Sequence, residues 1–225
     1  MTDPDRPRRG LLLTFEGPEG SGKSTLIAAL AERMRMGGVE PVLLREPGGT
    51  DIGERIRNIL LDPASERMCP ETELLLMVAS RAQLVREEIR PALRSGRLVI
   101  CDRFADASVA YQGHGRELGA ELVESLNDVA LAGLQPDLTF LCMLPPEEGL
   151  RRLVDRSTDR LDREDLEFHR RVHAGYRALA RRHDGRFVAI DASASPQSML
   201  DEALAHLRKL RENLEHGLLG FLGPR

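Results

Sequence analysis

The sequence predicts an α/β protein with a five-stranded parallel sheet flanked by helices. Three observations carry that reading. Five short apolar runs alternate with longer stretches whose apolar residues recur at helical spacing. Short apolar strands alternating with helices imply parallel pairing by βαβ crossovers. The first run also leads through a glycine-rich turn straight into a helix.

The elements follow in order. Residues 11–15 form the first strand. Residues 23–36 form a helix with Leu26, Ile27, Leu30 and Met34 on one face. Residues 41–44 are the second strand. Residues 51–61 are a short helix with Asp51 at its start and Pro63 just past its end. Residues 70–93 hold a long helical pattern that Pro91 breaks or ends. Residues 98–101 are the third strand, closed by Asp102. Residues 118–131 are helical, and Gly133 marks their end. Residues 138–144 are the fourth strand, stopped by Pro145 and Pro146. Residues 147–183 are mostly helical, with a charged interruption at 155–163. Residues 187–190 are the fifth strand and 196–214 the last helix. No repeat, low-complexity tract or linker divides the chain. Residues 1–225 therefore read as one domain with its core at 11–215, and the apolar, glycine-rich tail 216–225 reads as a frayed end, with a docking segment as the alternative.

Composition narrows the function. Of 225 residues, 41% are hydrophobic and 30% charged, which fits a soluble globular protein. Aromatics are only 4% with no Trp, so the core rests on Leu, Val, Ile and Ala. A net charge of -4 argues against a nucleic-acid polymer or a membrane surface as partner. No stretch reaches the roughly 18 apolar residues of a membrane span, and the apolar run behind the N-terminus is too short for a signal core. Cys69, Cys101 and Cys142 show no CxxC spacing, so a reducing cytoplasm is the expected compartment. Arginine outnumbers lysine 30 to 2, which makes Lys23 and Lys209 conspicuous.

Lys23 sits in the most informative motif. Gly17, Pro18, Glu19, Gly20, Ser21, Gly22, Lys23 and Ser24 fit G-x-x-x-x-G-K-[ST], and Thr25 continues into the helix. Glycines let successive amides point into one concavity, and the helix N-terminus adds partial positive charge. Lys23 can then reach the outer phosphates, while Ser24 offers a hydroxyl to Mg²⁺. Asp102 leaves the carboxyl end of a strand, where such sheets bind ligands, and suits a Mg²⁺-ordering role. The motif points to a nucleoside triphosphate but leaves small-molecule kinase, switch GTPase and motor ATPase open. No NKxD or DxxG element favours the GTPase, and the length leaves little room for a motor.

Four further segments, read together, resemble the thymidylate kinase family. They are Arg45-Glu46-Pro47-Gly48-Gly49-Thr50; Asp102-Arg103-Phe104; Ser108-Val109-Ala110-Tyr111-Gln112-Gly113; and Asp159-Arg160-Leu161-Asp162 leading to Phe168 and Gly175-Tyr176. With the phosphate loop, the resemblance spans residues 11–191. It implies the P-loop nucleoside monophosphate kinase fold with a short lid at about 151–163. It implies transfer of the γ-phosphoryl of ATP to dTMP with Mg²⁺, giving dTDP and ADP for dTTP biosynthesis, by a cytoplasmic homodimer. ATP would be held by residues 17–25. The acceptor dTMP would be held by Glu46, Pro47, Met77, Arg81, Arg103, Ser108, Tyr111 and Gln112. Ser24 and Asp102 would hold Mg²⁺, partly through water.

Physical roles can be set beside that resemblance. Two anions must be brought in line and neutralised. Arg103 can reach the acceptor phosphate with a bidentate fork. Glu19 is expected to face the acceptor's 3′-hydroxyl or a hydrated metal. Tyr111 is expected to close against the deoxyribose. Because the loop residue is the small Ser21, the lid must supply the remaining charge, with Arg160 first and Arg156 second. The acceptor helix departs from the family pattern: Met77 replaces a stacking Phe, Ser80 an Asp and Leu84 a His, and Ala107 replaces a serine. A pyrimidine monophosphate kinase of relaxed base choice, and a nucleotide-binding paralogue without catalysis, stay open alternatives. His169 and His173 read as surface histidines, and Cys101 as a buried strand residue.

Overall fold

The computed structural model describes residues 10–152, 159–214 and 217–222. Five parallel strands form one sheet: β1 (Leu11–Glu16), β2 (Val42–Arg45), β3 (Leu98–Asp102), β4 (Leu138–Met143) and β5 (Phe187–Asp191), in the order β2-β3-β1-β4-β5. β1 lies at the centre, with Leu12 opposite Val99 and Leu13 opposite both Ile100 and Leu138. Every β1 residue is buried, as the unbroken apolar run requires. Alternate side chains go to opposite faces. Leu11, Leu13 and Phe15 join one core cluster and Leu12 another. The two threonines that interrupt the apolar runs, Thr14 and Thr139, hydrogen-bond each other at 2.8 Å between strands.

On one face lie α1 (Lys23–Met36) and the long α9 (Pro196–Leu214). The other carries α3 (Pro70–Leu84), α6 (Ala120–Leu131) and α8 (Leu166–Arg182). Short helices complete the set: α2 (Asp51–Leu61), α4 (Arg90–Arg94), α5 (Ala105–Ser108) and α7 (Pro146–Arg151).

The helical run is broken near Pro91, as one reading of the sequence has it, and Pro91 itself does not end it. A wide π-helical turn, Val85–Ile89, precedes Pro91 and relieves the clash a proline makes with the carbonyl four residues back. Two features differ from the sequence expectation. The segment after β3, left unassigned by periodicity, is helical: α5 runs into a second π-helical turn, Val109–Gly115. The described part of the tail, residues 217–222, is not frayed. Gly217–Leu222 forms a 3₁₀ turn that buries Leu219, Phe221 and Leu222 in the α1–α9 core. Gly37 permits this, since a Cβ there would lie 2.3 Å from that of Phe221.

Candidate active site

The phosphate loop leaves the centre of the sheet at the carboxyl end of β1. Gly17 has φ +135, and a Cβ there would sit 2.2 Å from the Cys142 carbonyl oxygen, so only glycine fits beside β4. Lys23 is buried and curls back onto its loop. Its Nζ donates to the carbonyls of Gly17 at 2.9 Å and Pro18 at 2.8 Å, and to Ser21 Oγ at 3.2 Å. Burial and the nearby Arg103 charge lower its pKa. An anion in the loop would compete for this ammonium. Ser24 Oγ, in the first turn of α1, donates at 3.2 Å to Asp102 Oδ2 at the carboxyl end of β3. A hydroxyl and a carboxylate are hard oxygen donors, the set that a largely hydrated Mg²⁺ takes from a phosphate site.

Arg103 is the hub. Its backbone holds the left-handed φ of 65, uncommon for a residue with a side chain and typical of sites where neighbours fix the geometry. The amide donates to Phe15 O at 2.9 Å. The guanidinium donates to Gly17 O at 3.0 Å and Tyr176 Oη at 3.2 Å, and pairs with Glu19. It also lies 4.9 Å over the Tyr111 ring. Burial pushes the Glu19 carboxyl up, but Arg103, Lys23 and the Tyr111 hydroxyl at 3.2 Å outweigh it and hold Glu19 below the usual range. Behind the hub, Glu16 accepts from Phe104 N at 2.8 Å and Tyr176 Oη at 2.9 Å. Burial, then the charge of Asp106, pushes its carboxyl up to about 8.

These groups open on one cleft of about 430 Å³. Glu19 to Thr25 line it, and so do Glu46, Pro47, Met77, Arg81, Asp102, Arg103, Ser108, Tyr111 and Gln112. Proposed donor and acceptor residues thus share a single space. Arg81 is buried and held by Glu46 Oε2 at 2.8 Å, Asn127 Oδ1 at 2.6 Å and Ser108 Oγ at 3.0 Å. Ser80, the residue in place of the family's Asp, accepts from Gly48 N at 3.1 Å and so ties the Arg45–Thr50 loop to α3.

Arg160 is not at the cleft. Its side chain is 8% exposed and donates to Leu60 O at 3.0 Å and Glu73 Oε2 at 2.5 Å. A buried carboxylate has claimed the charge that the sequence reading sent to the phosphates. Arg156 lies outside the described residues. The arginine that does enter from the start of the lid is Arg152, which lines the cleft and donates to Ala192 O at 3.0 Å. Sequence reasoning also passed over Arg45 and Arg57, both lining the cleft. Arg57 Nη1 donates to Pro47 O at 2.8 Å. One signal was available. Arg57 stands four residues, one helical turn, after Gly53, where a Cβ would lie 2.8 Å from the Gly48 carbonyl oxygen. That face of α2 must therefore press on the Arg45–Thr50 loop. His169 is a further correction, being buried and not on the surface; its ring bonds the Asp162 backbone, while Nε2 has no partner among the described residues.

A central-strand phosphate loop, a strand-end carboxylate and an arginine-lined second subsite in the same cleft define a P-loop phosphotransferase of the nucleoside monophosphate kinase type. The thymidylate kinase family model matches residues 15–203. A thymidylate kinase of an Exiguobacterium species is 47% identical over 87% of this chain and 92% of its own length. One from Desulfovibrio desulfuricans is 48% identical over 84% and 91%. The crystal structure of thymidylate kinase from Ehrlichia chaffeensis superposes with a TM-score of 0.74 at 32% identity, covering 89% of this chain and 99% of that one. The chain belongs to the thymidylate kinase family.

Proposed function

We propose that the cleft carries out phosphoryl transfer from ATP to dTMP, giving dTDP and ADP, with the following division of labour. The loop amides, Lys23 and Arg152 hold the triphosphate. Arg103 and Arg57 hold the acceptor phosphate, with Glu19 and Tyr111 beside its sugar and Met77, Arg81, Ser108 and Gln112 around its base. An acceptor phosphate oxygen attacks the γ-phosphorus, the bond to the β-bridging oxygen breaks, and ADP leaves. The attacking oxygen belongs to a phosphate ionised near neutral pH, so no general base is needed. The protein's part is to align two anions and cancel their repulsion in a site with little water. Ser24 and Asp102 would hold Mg²⁺, which supplies charge neutralisation on the phosphate oxygens. A smaller, mainly apolar recess of about 260 Å³, lined by Leu26, Ala192, Pro196 and Met199 and sharing Gly22, Thr25 and Arg152 with the loop, suits the adenine ring.

The observation that supports this reading is the shared cleft: the phosphate loop and Arg57, Arg81 and Arg103 line the same space. The test is an acceptor panel with Mg-ATP. ADP release is expected with dTMP and only weakly with dCMP, UMP and AMP. Background release with dTMP alongside strong release with another acceptor would overturn the assignment. The chain works as one domain, with residues 151–163 as its lid, in the cytoplasm and as a homodimer. Exposed Leu75, Leu122 and Val129 on α3 and α6 support pairing through that face. Sedimentation would show it. No helix among the described residues is long and apolar enough to cross a membrane.

A further inference from the structure

Glu73 is a completely buried acid one helical turn before Met77 on α3, and it does not line the cleft. Four donors converge on it. Gln112 Nε2 donates to Oε1 at 2.8 Å. Arg116 grips both oxygens, Nε to Oε1 at 3.2 Å and Nη2 to Oε2 at 3.0 Å. Arg160 Nη2 reaches Oε2 at 2.5 Å. Burial raises the Glu73 pKa, yet these donors outweigh it and hold the group below the usual carboxylate range. Glu73 is therefore an ionised, acceptor-only group. The Arg116 fork fixes the plane of its carboxylate, and Glu164 steadies Arg116 from behind at 2.6 Å.

This settles an orientation. A glutamine amide can present either end, and its neighbours decide which. Beside a carboxylate, only the NH₂ end of Gln112 is tolerated. The carbonyl oxygen is then the end left for the cleft that Gln112 lines. A carbonyl oxygen accepts a hydrogen bond from the N3–H of thymine or uracil. It repels N3 of cytosine, which carries a lone pair and no proton.

We propose that Glu73 is a specificity-positioning residue: it locks the Gln112 amide so that the acceptor cleft offers an oxygen to the base and excludes cytosine. The proposal rests on the acceptor assignment given under Proposed function. The same carboxylate ties Arg160, from the end of the lid, to the base pocket.

The test is Glu73→Gln, which lets residue 73 donate to Gln112 and frees the amide to turn over. The readout is the ratio of kcat/KM for dTMP to that for dCMP. The ratio is expected to fall at least tenfold, through a gain in dCMP turnover, with the KM for ATP within twofold. A purely structural role would lower both acceptors together and leave the ratio unchanged. A folded variant whose ratio stays within twofold of wild type overturns the proposal. If the single variant does not fold, Glu73→Gln with Arg160→Gln keeps the charge balance and is read by the same criterion. If neither folds, the Gln112 side-chain amide in ¹⁵N-labelled wild-type protein decides. One proton protected from solvent exchange supports the lock, and two freely exchanging protons overturn it. Wild-type protein that prefers dCMP overturns both this proposal and the acceptor assignment. A wild-type dTMP preference that survives in Glu73→Gln overturns only the role of Glu73.

Discussion

Tyr176→Phe isolates one node of the hydrogen-bond chain behind Arg103. The phenol is fully buried, donates to Glu16 at 2.9 Å and accepts from Arg103 at 3.2 Å. Phenylalanine keeps the ring and its edge contact with Tyr111 at 6.3 Å, so packing is preserved. Glu16 then retains only the Phe104 amide, and Arg103 retains Gly17 and Glu19. A buried group left without a partner costs about 1–3 kcal/mol. Taking about 2 kcal/mol, Tm should fall by roughly 4–8 °C for a domain of this size. The pH dependence should move too. Glu16 has its folded pKa raised from 4.5 to about 8, and the Tyr176 bond is one of the influences holding it down. A raised acid stabilises the fold fully below 4.5 and loses that contribution as pH climbs through its folded value. Wild type should lose stability from 4.5 up to about 8, and the variant should go on losing it above that. Calorimetry from acid to mildly alkaline pH measures both effects. Steady-state kinetics should show kcat/KM for dTMP down roughly tenfold, the worth of one hydrogen bond to a charged group of about 1.5 kcal/mol, with the KM for ATP unchanged. A Tm shift under about 1 °C at every pH, with unaltered kinetics, would refute the reasoning.

Three other outcomes are expected. Met77→Phe should restore a flat ring beside the base and lower the KM for dTMP roughly fivefold, from about 1 kcal/mol of stacking; titration calorimetry with dTMP checks it. Arg57→Ala should, on the proposed role of this arginine, remove about 2–3 kcal/mol of charged hydrogen bonding to the acceptor phosphate, cutting kcat/KM for dTMP roughly 30- to 150-fold while sparing the KM for ATP. Phe221→Ala should cost about 3 kcal/mol and lower Tm by roughly 6–12 °C, because the side chain fills the α1–α9 core; an unchanged Tm would mean the tail does not dock in solution.

How much was legible in the sequence depended on whether a signal was local. Strands such as Leu98–Asp102 announce themselves, because burial on both faces demands an unbroken apolar run. The phosphate loop is equally plain, since its glycines answer to backbone geometry within a few residues. Residues 105–115 were not legible. Their π-helical turn breaks the 3.6-residue period, and Tyr111 and Gln112 lie on it. Arg160 was misplaced for another reason. Its motif gives position along the chain but not direction, and the direction is set by Glu73, 87 residues away. Arg57 was lost among 30 arginines, since which of them faces phosphate depends on tertiary contacts. The tail misled because glycine suits both a loose end and a close-packed turn, and its three buried apolar side chains decide for the turn.

The central position of β1 carries a consequence for biosynthesis. The first strand to leave the ribosome is flanked only by strands made much later, at residues 98–102 and 138–143. A nascent chain shorter than that offers six buried-type residues no neighbour to zip onto, so they must be shielded by a chaperone or by transient collapse. The nucleotide cradle hangs from that strand. It cannot be assembled until more than half of the polypeptide has emerged, and ATP can stabilise this protein only late in its manufacture.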